Sequence, residues 1–124
     1  MVSYHEYLKN ILIQILESYA HLQEIKDKPG DINLIMKDLL KINGFAKVIL
    51  NKIDDKNIQS SDFKGLKSKL KNYVENYYFE QEIETMSALY SDDMGRLKNV
   101  RLKILEALND KKLMVSIQEL SEKL

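Results

Sequence analysis

The sequence predicts an all-α protein, an antiparallel bundle of four to five helices in a single domain spanning residues 1–124. The composition is the first indication, since 44% of the residues are hydrophobic, 31% are charged, and only one proline and four glycines interrupt the chain. The second is that apolar residues recur every three or four positions in each long segment. The third is that no segment sustains the alternation typical of a half-buried strand. Helices that carry single stripes and are joined by short turns pack as up-and-down bundles.

The first helix is predicted to begin after Ser3 and to end near Lys26. Ser3 and Glu6 form a capping box, in which each side chain accepts a hydrogen bond from an otherwise unpaired backbone N–H. The apolar face of this helix consists of Tyr4, Tyr7, Leu8, Ile11, Leu12, Ile15, Leu16, Tyr19 and Leu22.

The clearest turn in the chain follows. Pro29 stops a helix, Gly30 permits a positive φ, and Asp31 can cap the next helix. That second helix is predicted over about 32–53, where Asn43–Gly44 is a mild break signal that leaves a kink open. Its stripe consists of Ile32, Ile35, Leu39, Ile42, Ala46, Ile49, Leu50 and Ile53.

The segment 61–90 is predicted to form the longest helix, reached through a polar connection at 54–60 and capped by Ser60 or Ser61. Its first half carries one apolar stripe, made of Phe63, Leu66, Leu70, Tyr73, Val74 and Tyr77. After Tyr78 the stripe moves to nearly the opposite side of the helix, at about 100° per residue, and consists of Phe79, Ile83, Met86 and Tyr90.

Two arrangements satisfy this change of direction. The chain can bend near Tyr78 and fold the second stripe onto the fourth helix. Alternatively, an unbroken helix of about 45 Å leaves the body of a chain whose radius of gyration is about 14 Å. We expect the second arrangement, because a two-fold homodimer would bury the same apolar patch on both copies. The expected protein interface consists of Tyr78, Phe79, Ile83, Met86 and Tyr90.

A fourth helix follows, capped by the serine and aspartates of 91–93. Its seam is expected to include Arg101, with the guanidinium snorkelling to solvent. Beyond a polar turn, Ser116 and Glu119 form a second capping box, which predicts a short last helix over 117–124. The seam of the fourth helix consists of Met94, Leu97, Val100, Arg101, Ile104, Leu105 and Leu108.

The net charge is zero, with 19 basic and 19 acidic residues, so the chain exerts no global pull on nucleic acid. The charge is nevertheless uneven, because 80–93 contains acidic residues and no basic one, whereas 96–112 is mostly basic. We expect these two segments to pair with each other. The alternative is a basic patch for an acidic partner, formed by Arg96, Lys98 and Lys103.

No catalytic, cofactor-binding or metal site is expected. Cysteine is absent, which excludes disulfides and thiolate chemistry and fits a cytoplasmic protein. The two histidines, His5 and His21, lack the Glu-x-x-His pairs on facing helices that a di-iron bundle needs. Glu80, Glu82 and Glu84 alternate around a helix instead of converging, and no Gly-rich phosphate loop is present. No apolar run is long enough for a signal peptide or a membrane span.

Residues 100–124 contain two spaced patterns. The first, R-x-x-I-L-x-x-L, is carried by Arg101, Ile104, Leu105 and Leu108. The second, S-x-x-E-L-x-x-x-L, is carried by Ser116, Glu119, Leu120 and Leu124. In this the segment resembles the opening half of a winged helix-turn-helix domain. The resemblance implies part of a transcriptional regulator, although the chain ends where the recognition helix would begin.

These observations favour a non-enzymatic, helical protein-binding module, such as an adaptor, an inhibitor or a chaperone-like subunit, acting through exposed helix faces. Tyrosine is favoured at such interfaces because it combines a large apolar area with a polar tip. The partner is expected to be another protein, with a homodimer in addition, and not nucleic acid or a membrane. The alternative is a helical oligomerisation module of a transcriptional regulator.

Overall fold

The computed structural model describes residues 3–28, 30–53, 58, 61–90 and 92–124. They form six α-helices and no strand, which confirms the all-α class. None of the helices described is both long and apolar enough to cross a membrane. The helices are α1 (Tyr4–Glu24), α2 (Asp31–Lys52), α3 (Ser61–Asn76), α4 (Phe79–Leu89), α5 (Met94–Leu108) and α6 (Leu113–Lys123), with a short 3₁₀ turn at Asp110–Lys112. The roles predicted for Pro29, Ser60 and Ser91, and most of the 54–60 connection, fall on residues outside this description.

The start of α1 is capped as predicted, since the Ser3 hydroxyl accepts a hydrogen bond from the Glu6 N–H at 3.2 Å. After α1 the chain turns, and Gly30 adopts a φ of 90°, a value that suits glycine. Asp31 does not cap α2, because its carboxylate accepts from a backbone N–H three residues earlier, at 3.0 Å. The break signal at Asn43–Gly44 has no structural counterpart, since both residues lie inside α2.

The predicted long helix is two helices. α3 ends at Asn76 and α4 begins at Phe79, and between them Tyr78 leaves the helical region with φ −128° and ψ 77°. The chain therefore bends near Tyr78, and the extended alternative is wrong. Because each half buries its own stripe as a separate helix, six helices replace the predicted four to five.

Three residues of the predicted interface lie in the core of the chain. Phe79, Ile83 and Met86 are 9%, 0% and 5% exposed, and α4 packs against α2 and α5. Their prediction as an exposed surface is wrong, because the bend near Tyr78 turns the second stripe inward. Burying a side chain of this size stabilises a fold by about 1.5–3 kcal/mol. The apolar stripe is thus removed from water without a second copy of the chain.

The core is centred on the pair α1 and α2. α1 packs against α2, α5 and α6, whereas α2 also contacts α3 and α4, and α6 reaches α3. The predicted apolar faces supply its interior, because helical spacing places every third or fourth residue on one side. Its fully buried side chains include Leu8, Leu12, Ile15, Leu22, Ile35, Leu39, Ile49 and Phe63.

The last helix begins earlier than predicted. Lys111 and Lys112 both have positive φ, at 55° and 58°, so the chain reverses within the 3₁₀ turn and α6 starts at Leu113. Ser116 lies inside α6, where its hydroxyl accepts a hydrogen bond from Lys69 Nζ of α3. The second capping box is therefore wrong, and the capped helix in the winged helix-turn-helix resemblance has no counterpart here.

Arg101 does not snorkel to solvent. It is 9% exposed, and its guanidinium donates hydrogen bonds to both carboxylate oxygens of Asp27, at 2.8 and 2.9 Å. A third hydrogen bond runs to the Leu22 carbonyl at 3.1 Å. The arginine thus joins α5 to the end of α1 and to the turn that follows it.

Candidate functional site

A groove of about 560 Å³ lies between α4 and α5. It brings together residues of two separately predicted sets. Met86 and Tyr90 come from the predicted interface, and Arg96 and Lys103 come from the predicted basic patch. We call it the α4–α5 groove, and the described residues that line it are Glu82, Thr85, Met86, Tyr90, Arg96, Asn99, Val100 and Lys103.

Helical periodicity explains why these residues converge. On α4 and its C-cap, Glu82, Met86 and Tyr90 are spaced four residues apart and share one side of the helix. On α5, Val100 follows Arg96 by four residues and faces the same way. Met86 and Val100 are 5% and 4% exposed, so they form an apolar floor between two polar edges.

Tyr90 and Arg96 form one edge of the α4–α5 groove. The guanidinium carbon of Arg96 lies 3.9 Å from the centre of the Tyr90 ring, in a cation–π arrangement. Asp93 orients Arg96 in this pair. One of its carboxylate oxygens caps α5 by accepting a hydrogen bond from the Arg96 N–H at 3.1 Å. The other lies 3.2 Å from Arg96 Nε. The result is a flat, partly exposed platform whose orientation is set by the helix cap.

The opposite edge is the ion pair between Lys103 and Glu82. Lys103 Nζ lies 3.9 Å from Glu82 Oε1, and both side chains are largely in solvent. An exposed pair of this kind contributes about 0–1 kcal/mol. The expected pairing of segments 80–93 and 96–112 thus occurs across the groove at this pair and locally between Asp93 and Arg96.

Two exposed apolar side chains are neighbours of Tyr90 and of the α5 cap in sequence but do not line the groove. Leu89 and Met94 are 69% and 54% exposed and flank Tyr90 and the α5 cap in the chain. Met94 was predicted to lie in the buried seam of the fourth helix, and that prediction is wrong, since it is the first residue of α5 and is exposed. Leu89 was not singled out, since it lies off both apolar stripes.

Two predicted site residues lie outside the α4–α5 groove. Tyr78 is 76% exposed and lines a separate groove of about 490 Å³ at the junction of α3 and α4, beside Tyr77 and Phe79. Lys98 is exposed on α5, but two residues after Arg96 its side chain points to another side of the helix.

A network of hydrogen bonds holds the start of α4 against α2 and α3. The Tyr73 hydroxyl donates to Asn43 Oδ1 at 2.7 Å, and Asn43 Nδ2 donates to Glu80 Oε1 at 3.0 Å. Burial, assisted by the negative charge of Glu80, raises the pKa of the Tyr73 phenol well above 10.0. The hydrogen bonds of Asn43 with Tyr73 and Glu80 tie α2, α3 and α4 together at the bend. Just after the end of α3, the Tyr77 hydroxyl donates to Asp110 of the 3₁₀ turn at 2.9 Å.

Both histidines, His5 and His21, lie on α1. Among the described residues, no group of three histidine, aspartate or glutamate side chains is arranged to hold an ion. His21 Nδ1 lies 3.3 Å from Asp38 Oδ1 across α1 and α2.

Comparisons with protein-family models, with curated proteins and with solved structures found no match for this chain.

Proposed function

We propose that this protein is a non-enzymatic protein-binding module, an adaptor, inhibitor or chaperone-like subunit, that holds a segment of another protein in the α4–α5 groove. The observation that carries the proposal is the convergence of the Tyr90–Arg96 platform with the floor of Met86 and Val100. Tyrosine, arginine and methionine are the residue types enriched at protein interfaces.

Each part of the groove has a distinct role in the proposal. The floor accepts an apolar side chain of the partner, which gains by leaving water. The Tyr90–Arg96 platform offers a large rigid contact area with little side-chain freedom to lose. Leu89, which is 69% exposed and precedes Tyr90 in the chain, offers a position from which the groove can be probed. The Glu82–Lys103 pair, at the polar rim, orients the partner.

The proposal differs from the homodimer expected from the sequence. Phe79, Ile83 and Met86 already belong to the core, so a dimer would have to use Tyr78, Tyr90 and their exposed neighbours instead. Self-association through that smaller surface remains a distinguishable outcome of the test. We propose a cytoplasmic location, because a chain without cysteine suits a reducing compartment.

Site-specific photocrosslinking in the native cell tests the proposal. A photo-crosslinking amino acid in place of Leu89 should capture one defined protein. The matched control replaces Leu40 of α2, which is 47% exposed and lines none of the grooves described here. Capture from position 89 should be lost when Arg96→Ala and Met94→Asp are added.

Three results would contradict the proposal: no product from position 89, the same product from position 40, or capture that survives both substitutions. If a second copy of the chain is captured instead, the groove is a homodimer interface and not a site for another protein.

A further inference from the structure

A second groove, of about 510 Å³, lies between the C-terminal end of α1 and the first half of α2. We call it the α1–α2 groove. Its charged lining consists of four lysines, Lys26, Lys28, Lys37 and Lys41, with Glu24, Asp31, Asp38 and His21.

The carboxylates of this groove are mostly engaged by the chain itself. The Asp38 side chain is 9% exposed and lies 3.3 Å from His21 Nδ1. The Asp31 carboxylate accepts the N–H of Lys28 at 3.0 Å. By contrast, among the described residues, no carboxylate pairs with the side-chain ammonium of any of the four lysines. The lining thus has a formal charge of +1, and its four lysines are exposed, whereas Glu24 is the one exposed carboxylate among its described residues.

The groove also has an apolar surface. Leu34 is 50% exposed and lies one helical turn before Lys37 and two turns before Lys41 on the same face of α2. Ile25, at the end of α1, is half-buried beside it. An exposed leucine between lysines offers a place for an apolar side chain whose neighbours are negatively charged.

The Asp27–Arg101 ion pair sets the shape of the turn at one side of the α1–α2 groove. Asp27 adopts a φ of 59°, which is uncommon for a residue with a side chain. Both of its carboxylate oxygens are held by Arg101. Lys26 and Lys28 flank Asp27 directly, so the ion pair fixes the turn that presents these two lysines to the groove.

From this arrangement we infer a second binding site, independent of the proposed function. The α1–α2 groove binds an acidic segment of a partner protein that carries one large apolar side chain. The lysines contact the carboxylates, and Leu34 contacts the apolar side chain. The chain as a whole is neutral, with 19 basic and 19 acidic residues, which disfavours a nucleic-acid ligand.

The test begins with a random peptide library displayed on phage and selected on the whole protein. Selected peptides should contain aspartate or glutamate on both sides of a leucine, isoleucine or phenylalanine. One such peptide, labelled with fluorescein, is then titrated by anisotropy against the wild type and against a variant with Lys37→Glu and Lys41→Glu. The matched control carries Lys9→Glu and Lys64→Glu, which make the same change in net charge at exposed positions elsewhere.

The groove variant should weaken peptide binding by at least about tenfold, through two charge reversals at the site. The control should change it by less than about twofold, and circular dichroism should show the same helix content in all three proteins. Tyr90→Ala with Arg96→Ala in the α4–α5 groove should leave this peptide bound, which separates the two sites.

The inference is overturned if the library yields no acidic peptide, or if the control variant weakens binding as much as the groove variant. It is also overturned if a labelled single-stranded or duplex oligonucleotide binds more tightly than the peptide at physiological salt, since the groove would then be a nucleic-acid site.

Discussion

The guanidinium of Arg101 binds the carboxylate of Asp27, a residue 74 positions earlier in the chain. Its Nε and one terminal nitrogen each donate a hydrogen bond to a different carboxylate oxygen. The two side chains are 11% and 12% exposed, so water competes little for these hydrogen bonds. The contact raises the pKa of Arg101, chiefly through its hydrogen bonds to Asp27. Because the arginine also binds the Leu22 carbonyl near the C-terminal end of α1, it meets the negative end of the helix dipole as well.

Removing one member of this pair should destabilise the fold strongly. Asp27→Ala leaves a buried guanidinium without its partner, and breaking a buried pair in this way costs roughly 3–5 kcal/mol. Asp27→Ala with Arg101→Met should cost less than the single change, because no unpaired charge remains. Urea unfolding measures the free energies of unfolding. Lys103→Ala, at the exposed pair, should lower stability by less than about 1 kcal/mol, and an equal effect at both pairs would contradict the structural role given to Arg101.

The bend near Tyr78 predicts opposite sensitivities for two residues that the sequence placed on one surface. Ile83 is fully buried, so Ile83→Ala should destabilise the chain by about 2–5 kcal/mol. Tyr78 is 76% exposed, so Tyr78→Ala should change stability by no more than about 0.5 kcal/mol. Thermal unfolding compares them. A mild effect at Ile83 would mean that α4 extends away from its own chain.

Two glycines should respond with opposite sign to the same substitution. Gly44 lies inside α2, and no neighbouring atom lies within 4 Å of the point that an alanine Cβ would occupy. Gly44→Ala should therefore stabilise the protein by about 0.5–1 kcal/mol. Gly30 has a φ of 90°, which alanine adopts only with strain, so Gly30→Ala should destabilise by about 1–2 kcal/mol. The midpoint of urea unfolding reports both. Destabilisation by Gly44→Ala would indicate the kink that the structure lacks.

The free energy of unfolding should fall at alkaline pH, because the Tyr73 phenol holds its proton more tightly in the folded state than in the unfolded state. Its folded pKa is raised above 10.0, mainly by burial, so the folded state keeps the phenol proton that the unfolded state has lost. The contribution of Tyr73 to the free energy of unfolding is fully present below pH 10.0. It is lost as the pH rises through the folded pKa, at up to about 1.4 kcal/mol per pH unit. Tyr73→Phe should make the free energy of unfolding fall less steeply above pH 10. The exposed Tyr78→Phe serves as the control and should keep the wild-type slope.

The sequence is sufficient to predict the helices whose stripes run in one direction. α1 and α2 carry single apolar faces, and the Ser3 cap and the turn at Gly30 follow from local chemistry. The bend near Tyr78 is harder to predict from the sequence, because neither glycine nor proline marks it. Two apolar stripes in one segment also fit a dimer as well as they fit two separate helices. Only the packing of Ile83 within the chain distinguishes these arrangements.

Long-range pairing accounts for the other differences. Arg101 has the same sequence signal whether it snorkels or binds Asp27, since nothing local identifies a partner 74 residues away. Likewise, Ser116 has the sequence signal of a helix cap, and only the reversal of the chain at Lys111 and Lys112 places it inside α6. For the site, the sequence identified Tyr90 and Arg96 separately but not their stacking at one edge of the α4–α5 groove.

Affinity for the protein captured at position 89 tests the central claim most directly. Isothermal titration compares the wild type with Tyr90→Ala plus Arg96→Ala, and with the control Leu40→Ala on α2. If the α4–α5 groove is the binding surface, the double variant weakens the complex by at least about tenfold, as expected for losing a tyrosine and an arginine at an interface centre, and the control binds like the wild type. Unchanged affinity in a folded double variant would contradict the account.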